Sequence, residues 1–119
     1  MDLKRFIREY TDEVYHARDP EALARFVADP CIRHEHGHRV VMTLEDNRAR
    51  VAGFLAQAAG LKFEFVTETA EGEYYASAYQ FAFGDGEERQ TLSGIEIFRV
   101  QDGKITETWN AAAGQGPWG

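Results

Sequence analysis

The segment from Ser93 to Asn110 has the pattern of two β-strands joined by a tight turn, and it constrains the fold more than any other part of the chain. Asp102-Gly103 separates the two runs, and an Asp-Gly pair between strand-like runs is a strong signal for a hairpin turn. Glu96 lies in the middle of the first run, where its neighbours are apolar. A carboxylate in such a strand costs free energy unless it has a partner or lines a polar cavity. The pattern therefore predicts an antiparallel hairpin and indicates a pocket beside Glu96.

Helices are predicted before this hairpin. Apolar residues recur at helical spacing over residues 2–17, and they are Leu3, Phe6, Ile7, Tyr10, Val14 and Ala17. A second helix is predicted from Pro20, with Asp19 as its N-cap, to its end at Asp29-Pro30. A third opens at Thr43, where the sequence resembles a capping box, and ends at Gly60.

The remaining segments predict strands. Residues 31–42 are interpreted as two short strands around a turn at Gly37, and after Gly60 the hydrophobic period changes from helical to two. Four long strands joined by tight turns predict an antiparallel meander. The tail over residues 111–119 is too rich in glycine for regular structure. Helices followed by strands indicate the α+β class, and we expect a single domain over residues 1–119.

Charge and cysteine content narrow the classes of function. The formal net charge is −7, which argues against nucleic-acid and anionic-membrane surfaces because both recruit basic patches. Cys31 is the only cysteine, so no intrachain disulfide is possible. The N-terminus lacks the apolar core of a signal peptide, and no apolar run reaches membrane-spanning length. We therefore expect a cytoplasmic protein whose partner is a small molecule.

Three N-terminal helices, a long meander and the run G-I-x-I-F-R-V-x-D-G-K-I-x-E-x-W together resemble the nuclear transport factor 2-like superfamily. Within it, the chain is most similar to the SnoaL-like branch, which includes polyketide cyclases. The resemblance covers nearly the whole chain. It implies a cone, in which a curved antiparallel sheet wraps the first helix and leaves a hydrophobic pocket, and it implies a homodimer through the convex sheet face. The scaffold hosts isomerases, cyclases, dehydratases, hydrolases and binding modules, so the fold implies no single reaction.

A comparison by position with ketosteroid isomerase, a catalytic member of the superfamily, assigns roles to three residues. His34 takes the position of the general base, and Glu96 that of the aspartic acid kept protonated in an apolar site. Tyr10 is the nearest match to the tyrosine that stabilises the oxyanion. The base has changed from carboxylate to imidazole, so the resemblance does not imply isomerase activity itself.

Each candidate residue also has a purely structural interpretation. Glu96 shares its strand face with Phe98 and other apolar residues, so it is predicted to line the pocket; the alternative is an ion pair with Arg33 or exposure to solvent. An imidazole titrates near neutrality and suits a base, while the alternative for His34 and His36 is the polar rim of a loop. For Tyr10 the alternative is core packing with a hydrogen-bonded hydroxyl. The residues predicted to contact substrate are Tyr79, Trp109, His36 and Phe98.

Two functional hypotheses follow from these residues. The first is an enzyme that transfers a proton on a hydrophobic carbonyl compound, with His34 as base and with Glu96 and Tyr10 stabilising the enolate. This reaction needs no organic cofactor and no metal. Although His34, His36 and His38 are spaced by two, no carboxylate or cysteine completes a known ligand spacing, so no metal site is predicted. The second hypothesis is a non-catalytic ligand-binding or dimerisation module.

Overall fold

The apolar face predicted over residues 2–17 forms a continuous helical segment in the computed structural model, which describes residues 1–118. Helix α1 spans Leu3–Tyr10, and a π-helical segment continues it over Thr11–His16. The Asp2 side chain caps α1 by accepting a hydrogen bond from the Arg5 backbone N–H at 3.1 Å. Apolar residues of this segment, such as Ile7 and Val14, are fully buried and form the centre of the core.

The second helix is shorter than the sequence predicts. A 3-10 turn over Pro20–Ala22 leads into α2, which spans only Leu23–Phe26. Val27 is already extended and begins strand β1 (Val27–Glu35), where it pairs with Ile105. The prediction that Asp29-Pro30 ends the helix is therefore wrong, because sheet pairing overrides helical propensity from Val27 onward.

Helix α3 spans Leu44–Gln57 and begins at the predicted residue. The Thr43 hydroxyl caps it by accepting from the Asp46 backbone N–H at 3.1 Å. It ends three residues before Gly60, because Ala58 leaves the helical conformation. The Arg18 guanidinium donates to the carbonyl oxygens of Ala58 and Leu55, so a distant side chain satisfies this helix end.

Six strands form one curved, open sheet in the order β2-β1-β6-β5-β4-β3. The strands other than β1 are β2 (His38–Met42), β3 (Lys62–Glu71), β4 (Tyr74–Phe83), β5 (Gln90–Gln101) and β6 (Lys104–Gln115). Strand β1 runs parallel to β6, whereas all other neighbouring strands are antiparallel. This arrangement confirms the predicted α+β class, and it joins the two ends of the chain within one sheet.

The C-terminal tail is more regular than predicted. Strand β6 continues past Ala111 to Gln115 and stays paired with β5. The indole Nε1 of Trp118 then donates to the Gly94 carbonyl oxygen at 3.1 Å. The prediction of an irregular tail from Ala111 is therefore wrong over the part that forms strand, because cross-strand hydrogen bonds outweigh the glycine-rich composition there.

The sheet has two faces with different surroundings. Its inner face packs against the helices and carries buried residues such as Tyr75, Tyr79 and Phe98. Its outer face carries Ile95 and Ile97, which remain 49% and 37% exposed. Among residues 1–118, no helix combines the length and the hydrophobicity needed to cross a membrane.

Candidate active site

A row of polar residues crosses three neighbouring strands on the inner face. Glu96 of β5 lies directly opposite Asn110 of β6 on one side and Ser77 of β4 on the other. All three line one cavity of about 150 Å³ between the sheet and the helices. The sheet register therefore brings a carboxyl, an amide and a hydroxyl group together at one level of the cavity.

The rest of the cavity wall is mostly aromatic. The aromatic lining residues are Tyr10, Tyr15, Phe54, Phe63, Phe65, Tyr79, Phe81 and Phe98. A cavity with apolar walls and a few convergent polar groups is the usual form of a small-molecule site. Its volume matches that of a cavity lined by apolar side chains that admits benzene, about 150 Å³. A single six-membered ring therefore fits the space.

Glu96 is the only acidic side chain in the cavity wall among residues 1–118. Burial raises the pKa of this carboxyl group above the usual range of a glutamate. Asn110, Arg33 and Arg50 act in the opposite direction but do not cancel the effect of burial. The protonated form of Glu96 thus persists to a higher pH than in water, which suits a group that both donates and accepts protons.

Tyr79 and Asn110 form a hydrogen-bonded pair at the same wall. Asn110 Nδ2 donates to the Tyr79 hydroxyl oxygen at 3.0 Å, and the hydroxyl group donates in turn to Asn110 Oδ1 over a longer distance of 3.4 Å. Burial raises the pKa of Tyr79, so the phenol keeps its proton. Gly94 lies opposite Tyr79 in the sheet, and a Cβ at Gly94 would be 2.4 Å from the hydroxyl oxygen. The absence of a side chain at Gly94 thus allows the phenol to occupy its position.

Tyr10 lies in the cavity wall with its hydroxyl already near a partner. Its hydroxyl oxygen is 3.4 Å from that of Tyr15, and its ring packs edge-on against Phe98 and Phe26. Burial, together with Tyr15, raises the pKa of Tyr10 well above its ordinary value. Tyr10 is therefore a neutral packing residue as well as a member of the cavity wall.

Two arginines complete the polar lining, and the sequence interpretation did not place either in the pocket. Arg33 of β1 is buried, and Arg50 of α3 donates from Nε to Asn47 Oδ1 at 3.2 Å. Alternation from Cys31, which is buried on the same strand, was the signal that could have placed Arg33 on the inner face. No comparable signal exists for Arg50, because the apolar pattern of α3 does not mark it as inward.

His34 does not point into this cavity, so the prediction that it converges there with Glu96 and Tyr10 is wrong. It lies on the outer face, where its Nε2 is 2.7 Å from a carboxylate oxygen of Glu107. Its ring stacks on Trp109 with 5.2 Å between the centroids and 4° between the planes. The reason is alternation along β1, because an inward Arg33 forces its neighbour His34 outward.

Trp109 and His36 also lie away from the cavity that they were predicted to line. A register shift between Arg99 and Val100 places Asn110, not Trp109, opposite Glu96, so the indole faces outward. His36 is exposed at the turn between β1 and β2 with φ of 52°. Both residues border a separate hollow of about 450 Å³ on the outer side of the sheet.

The histidines remain without a metal-binding arrangement in the part of the chain that the structure describes. There, no group of three or more His, Cys, Asp or Glu side chains is placed to hold a metal ion.

Of the seven predicted site residues, the four in the cavity wall are Glu96, Tyr10, Tyr79 and Phe98. Those on the outer side are His34, His36 and Trp109.

Comparison with known proteins gives one family. The model of the SnoaL-like domain matches residues 7–108. A search among proteins with curated functions finds no match.

Solved structures similar to the chain share its fold at low sequence identity. A SnoaL-like polyketide cyclase from Agrobacterium tumefaciens is 17% identical, with a TM-score of 0.78 over 94% of this chain and 91% of that one. TsrD from Streptomyces laurentii is 17% identical, with a TM-score of 0.75 over 93% and 87%. An NTF2-like protein of unknown function from Mesorhizobium loti is 22% identical, with a TM-score of 0.72 over 93% and 90%. These neighbours confirm the predicted fold.

Proposed function

Since the chain belongs to the SnoaL-like family, we propose that it is an enzyme that transfers a proton on a small hydrophobic carbonyl compound, as an isomerase or a cyclase does. The observation that carries the proposal is Glu96, a carboxyl group with a raised pKa in a largely aromatic cavity wall. A titratable group with a shifted pKa that lines a cavity is a candidate general acid or base. The polyketide cyclase name of a structural neighbour is consistent with this class of chemistry.

Glu96 is the base in this reaction. Its carboxylate takes a proton from the carbon beside the substrate carbonyl, and the electron pair of that C–H bond moves to the carbonyl oxygen to give an enolate. Where the compound has a β,γ double bond, the enolate is a dienolate and the same carboxyl group returns the proton to the γ carbon, which isomerises the compound. Alternatively, the enolate carbon attacks a second carbonyl carbon and closes a ring, and the alkoxide formed there takes the proton back from Glu96. Neither route requires an organic cofactor or a metal.

Tyr79 is the donor for the enolate oxygen. In the structure its hydroxyl group donates to Asn110 Oδ1 at the long distance of 3.4 Å, and in the reaction it turns this donation to the enolate oxygen, while Asn110 Nδ2 still donates to the hydroxyl oxygen. A donor aimed at developing negative charge in a dry site lowers the barrier by several kcal/mol. Tyr10 and Phe98 form the apolar wall beside Glu96 and contact the substrate near its reacting carbon. This assignment replaces the sequence-based one, in which His34 was the base and Tyr10 the donor.

Solvent exchange of an enolisable ketone tests the proposal. Acetophenone has one ring, and proton NMR in D₂O follows the loss of its methyl protons to deuterium. We expect the protein to accelerate this exchange and Glu96→Gln to slow the protein-dependent rate by about 100-fold or more. The matched control is Glu107→Gln, which removes a carboxylate from the outer side of the sheet and is expected to keep the rate. Undiminished exchange in Glu96→Gln would contradict the assignment of the base.

The same experiment separates the enzyme from a binding module. Acetophenone that perturbs the NMR signals of the cavity residues without any exchange would identify a non-catalytic ligand-binding protein.

Cys31 is a buried free thiol, which is compatible with the reducing cytosol in which we propose that the protein acts.

We also propose that the chain forms a homodimer through the outer face of the sheet. Ile95, Ile97 and Tyr74 are exposed there, and Trp109 lies beside Tyr74 with 6.2 Å between ring centroids. We call these four residues the outer patch. A contiguous apolar patch of this kind on a soluble domain is typical of an interface.

A further inference from the structure

Two arginine side chains contribute positive charge to the cavity wall. Arg33 enters it from β1 and Arg50 from α3, and the Arg33 side chain is only 10% exposed. A guanidinium group keeps its charge at any physiological pH. A buried charge is expensive unless an opposite charge or several hydrogen bonds compensate it. The groups that neutralise or hydrogen-bond these two guanidinium groups therefore indicate which ligand the cavity can bind.

The compensation within the chain is incomplete. Arg33 Nη2 lies 3.3 Å from a carboxylate oxygen of Glu35, but its Nε is buried without a hydrogen-bond partner. Arg50 Nε donates to the neutral amide of Asn47 at 3.2 Å. Within residues 1–118, Arg50 forms no ion pair with any carboxylate.

Glu96 does not neutralise either cation. It shares the cavity with both, yet its carboxylate is not within ion-pair distance of Arg33 or Arg50 among the described contacts. Burial raises the pKa of Glu96, and both arginines only reduce that effect. Two guanidinium groups face one carboxyl group, so the cavity is cationic whether or not Glu96 is ionised, although the chain as a whole carries a net charge of −7. A cationic cavity with an aromatic wall favours a ligand that is anionic, is small enough to enter, and has an apolar part that packs against the wall.

We propose that the substrate of this cavity is a single-ring carboxylic acid, whose carboxylate is bound by the guanidinium groups of Arg50 and Arg33. This inference rests on the proposed function in one respect, that the cavity is the ligand site, and it does not depend on which reaction the protein catalyses. A planar guanidinium matches a carboxylate with two parallel hydrogen bonds, which a neutral carbonyl group cannot accept equally well. The ring then lies against the aromatic side of the cavity, where Phe54, Phe63 and Phe81 pack on one another.

Benzoate and benzamide provide an isosteric pair that tests the charge alone. NMR titration of the intact protein gives the dissociation constant of each compound. We expect benzoate to bind at least about tenfold more tightly than benzamide, as charge-assisted hydrogen bonds require. Arg50→Gln is expected to remove this preference while it leaves the benzamide affinity within about twofold.

Arg48→Gln is the matched control. Arg48 lies on the same helix, faces Glu21 rather than the cavity, and is expected to keep the wild-type preference for benzoate. Arg50→Lys keeps the charge without the planar fork and is expected to retain part of the preference. This variant also shows whether the site survives substitution when Arg50→Gln proves unfolded by circular dichroism.

The outcomes separate this inference from the proposed reaction. Glu96→Gln is expected to lose ketone exchange but to keep the preference for benzoate, because it removes no cation. Equal binding of benzoate and benzamide by the wild-type protein, or an unchanged preference in folded Arg50→Gln, would overturn the inference. Failure of exchange alone would contradict only the proposed reaction and would leave the benzoate result intact.

Discussion

Gly94 determines how closely the Tyr79 phenol can approach β5. A Cβ at this position would lie 2.4 Å from the hydroxyl oxygen and 2.7 Å from Cζ, so the ring would have to move. We expect Gly94→Ala to lower the free energy of unfolding by about 1–3 kcal/mol, the usual cost of overpacking. Urea denaturation measures the change. In a Tyr79→Ala background the clash is absent, and the same substitution should then cost almost nothing.

Gly53 is the matched control for this substitution. It lies within α3, and a Cβ there would meet no atom within 4 Å. Gly53→Ala is expected to raise the free energy of unfolding by about 0.5–1 kcal/mol, because alanine restricts the unfolded chain and favours the helix. Equal effects of the two substitutions would show that close packing on Tyr79 does not decide the cost at Gly94.

Glu96 makes stability depend on pH in a direction opposite to that of most carboxylates. Burial raises the pKa of Glu96 in the folded protein, whereas the unfolded chain has the ordinary glutamate pKa of about 4.3. Between these two pKa values the native state therefore binds more protons than the unfolded state. The free energy of unfolding therefore falls as pH rises through this window. Denaturation at a series of pH values should show wild type losing stability relative to Glu96→Gln above this range. A constant difference between the two proteins would contradict a raised pKa.

At the scale of an element, α3 depends on a side chain from another part of the chain. The Arg18 guanidinium donates to two carbonyl oxygens at the C-terminal end of this helix, which also carries the cavity residue Phe54. We expect Arg18→Ala to lower the free energy of unfolding by about 1–2 kcal/mol, since it leaves both carbonyls without a charged donor. Amide hydrogen exchange of residues 55–59 should become faster than in wild type.

The backbone at Arg18 supplies a comparison within the same site. Its φ is 57°, a conformation that costs alanine free energy and that glycine adopts freely. Arg18→Gly also removes the guanidinium, so it should speed the same amide exchange as Arg18→Ala does. Its loss of stability should be smaller, because glycine relieves the backbone strain. A larger loss for glycine would contradict that contribution of strain.

The elements also show which parts of the structure the sequence could predict. The cap at Thr43 and the turn at Asp102-Gly103 depend on neighbouring residues, so local patterns were sufficient for them. The parallel pairing of β1 with β6 joins residues about 75 positions apart in sequence, as in His34 with Trp109, and no local pattern encodes it.

The candidate site was predictable only up to a one-residue register shift. Glu96 lies opposite Asn110 because the β5–β6 pairing shifts between Arg99 and Val100. A regular hairpin from the same turn would place Trp109 opposite Glu96 and thus in the pocket. A shift of one residue exchanges the two faces of a strand, so a bulge that the sequence does not mark was enough to misplace Trp109.

At the scale of the whole molecule, the two functions that we propose, ligand binding and self-association, lie on opposite faces of the sheet. The inner face encloses a cationic, aromatic cavity, whereas the outer face presents the outer patch to the surroundings. Glu107 and Trp109 both contact His34 on that outer side, so the order of His34 does not depend on a ligand in the cavity. Changes on one face are therefore expected to leave the function of the other intact.

The outer patch gives the prediction that tests assembly. If it forms a dimer interface, sedimentation of the wild-type chain at micromolar concentration should give a mass near twice 13.5 kDa. Ile97→Glu places a charge in the patch and should give a monomer, because an unpaired charge in an apolar interface is costly. Val66→Glu is the matched control, since Val66 is 48% exposed on the edge strand β3 and should keep the dimer. A wild-type monomer, or a dimer that persists in Ile97→Glu, would contradict this interface. Ketone exchange by the monomeric variant would show that each cavity is active within a single chain.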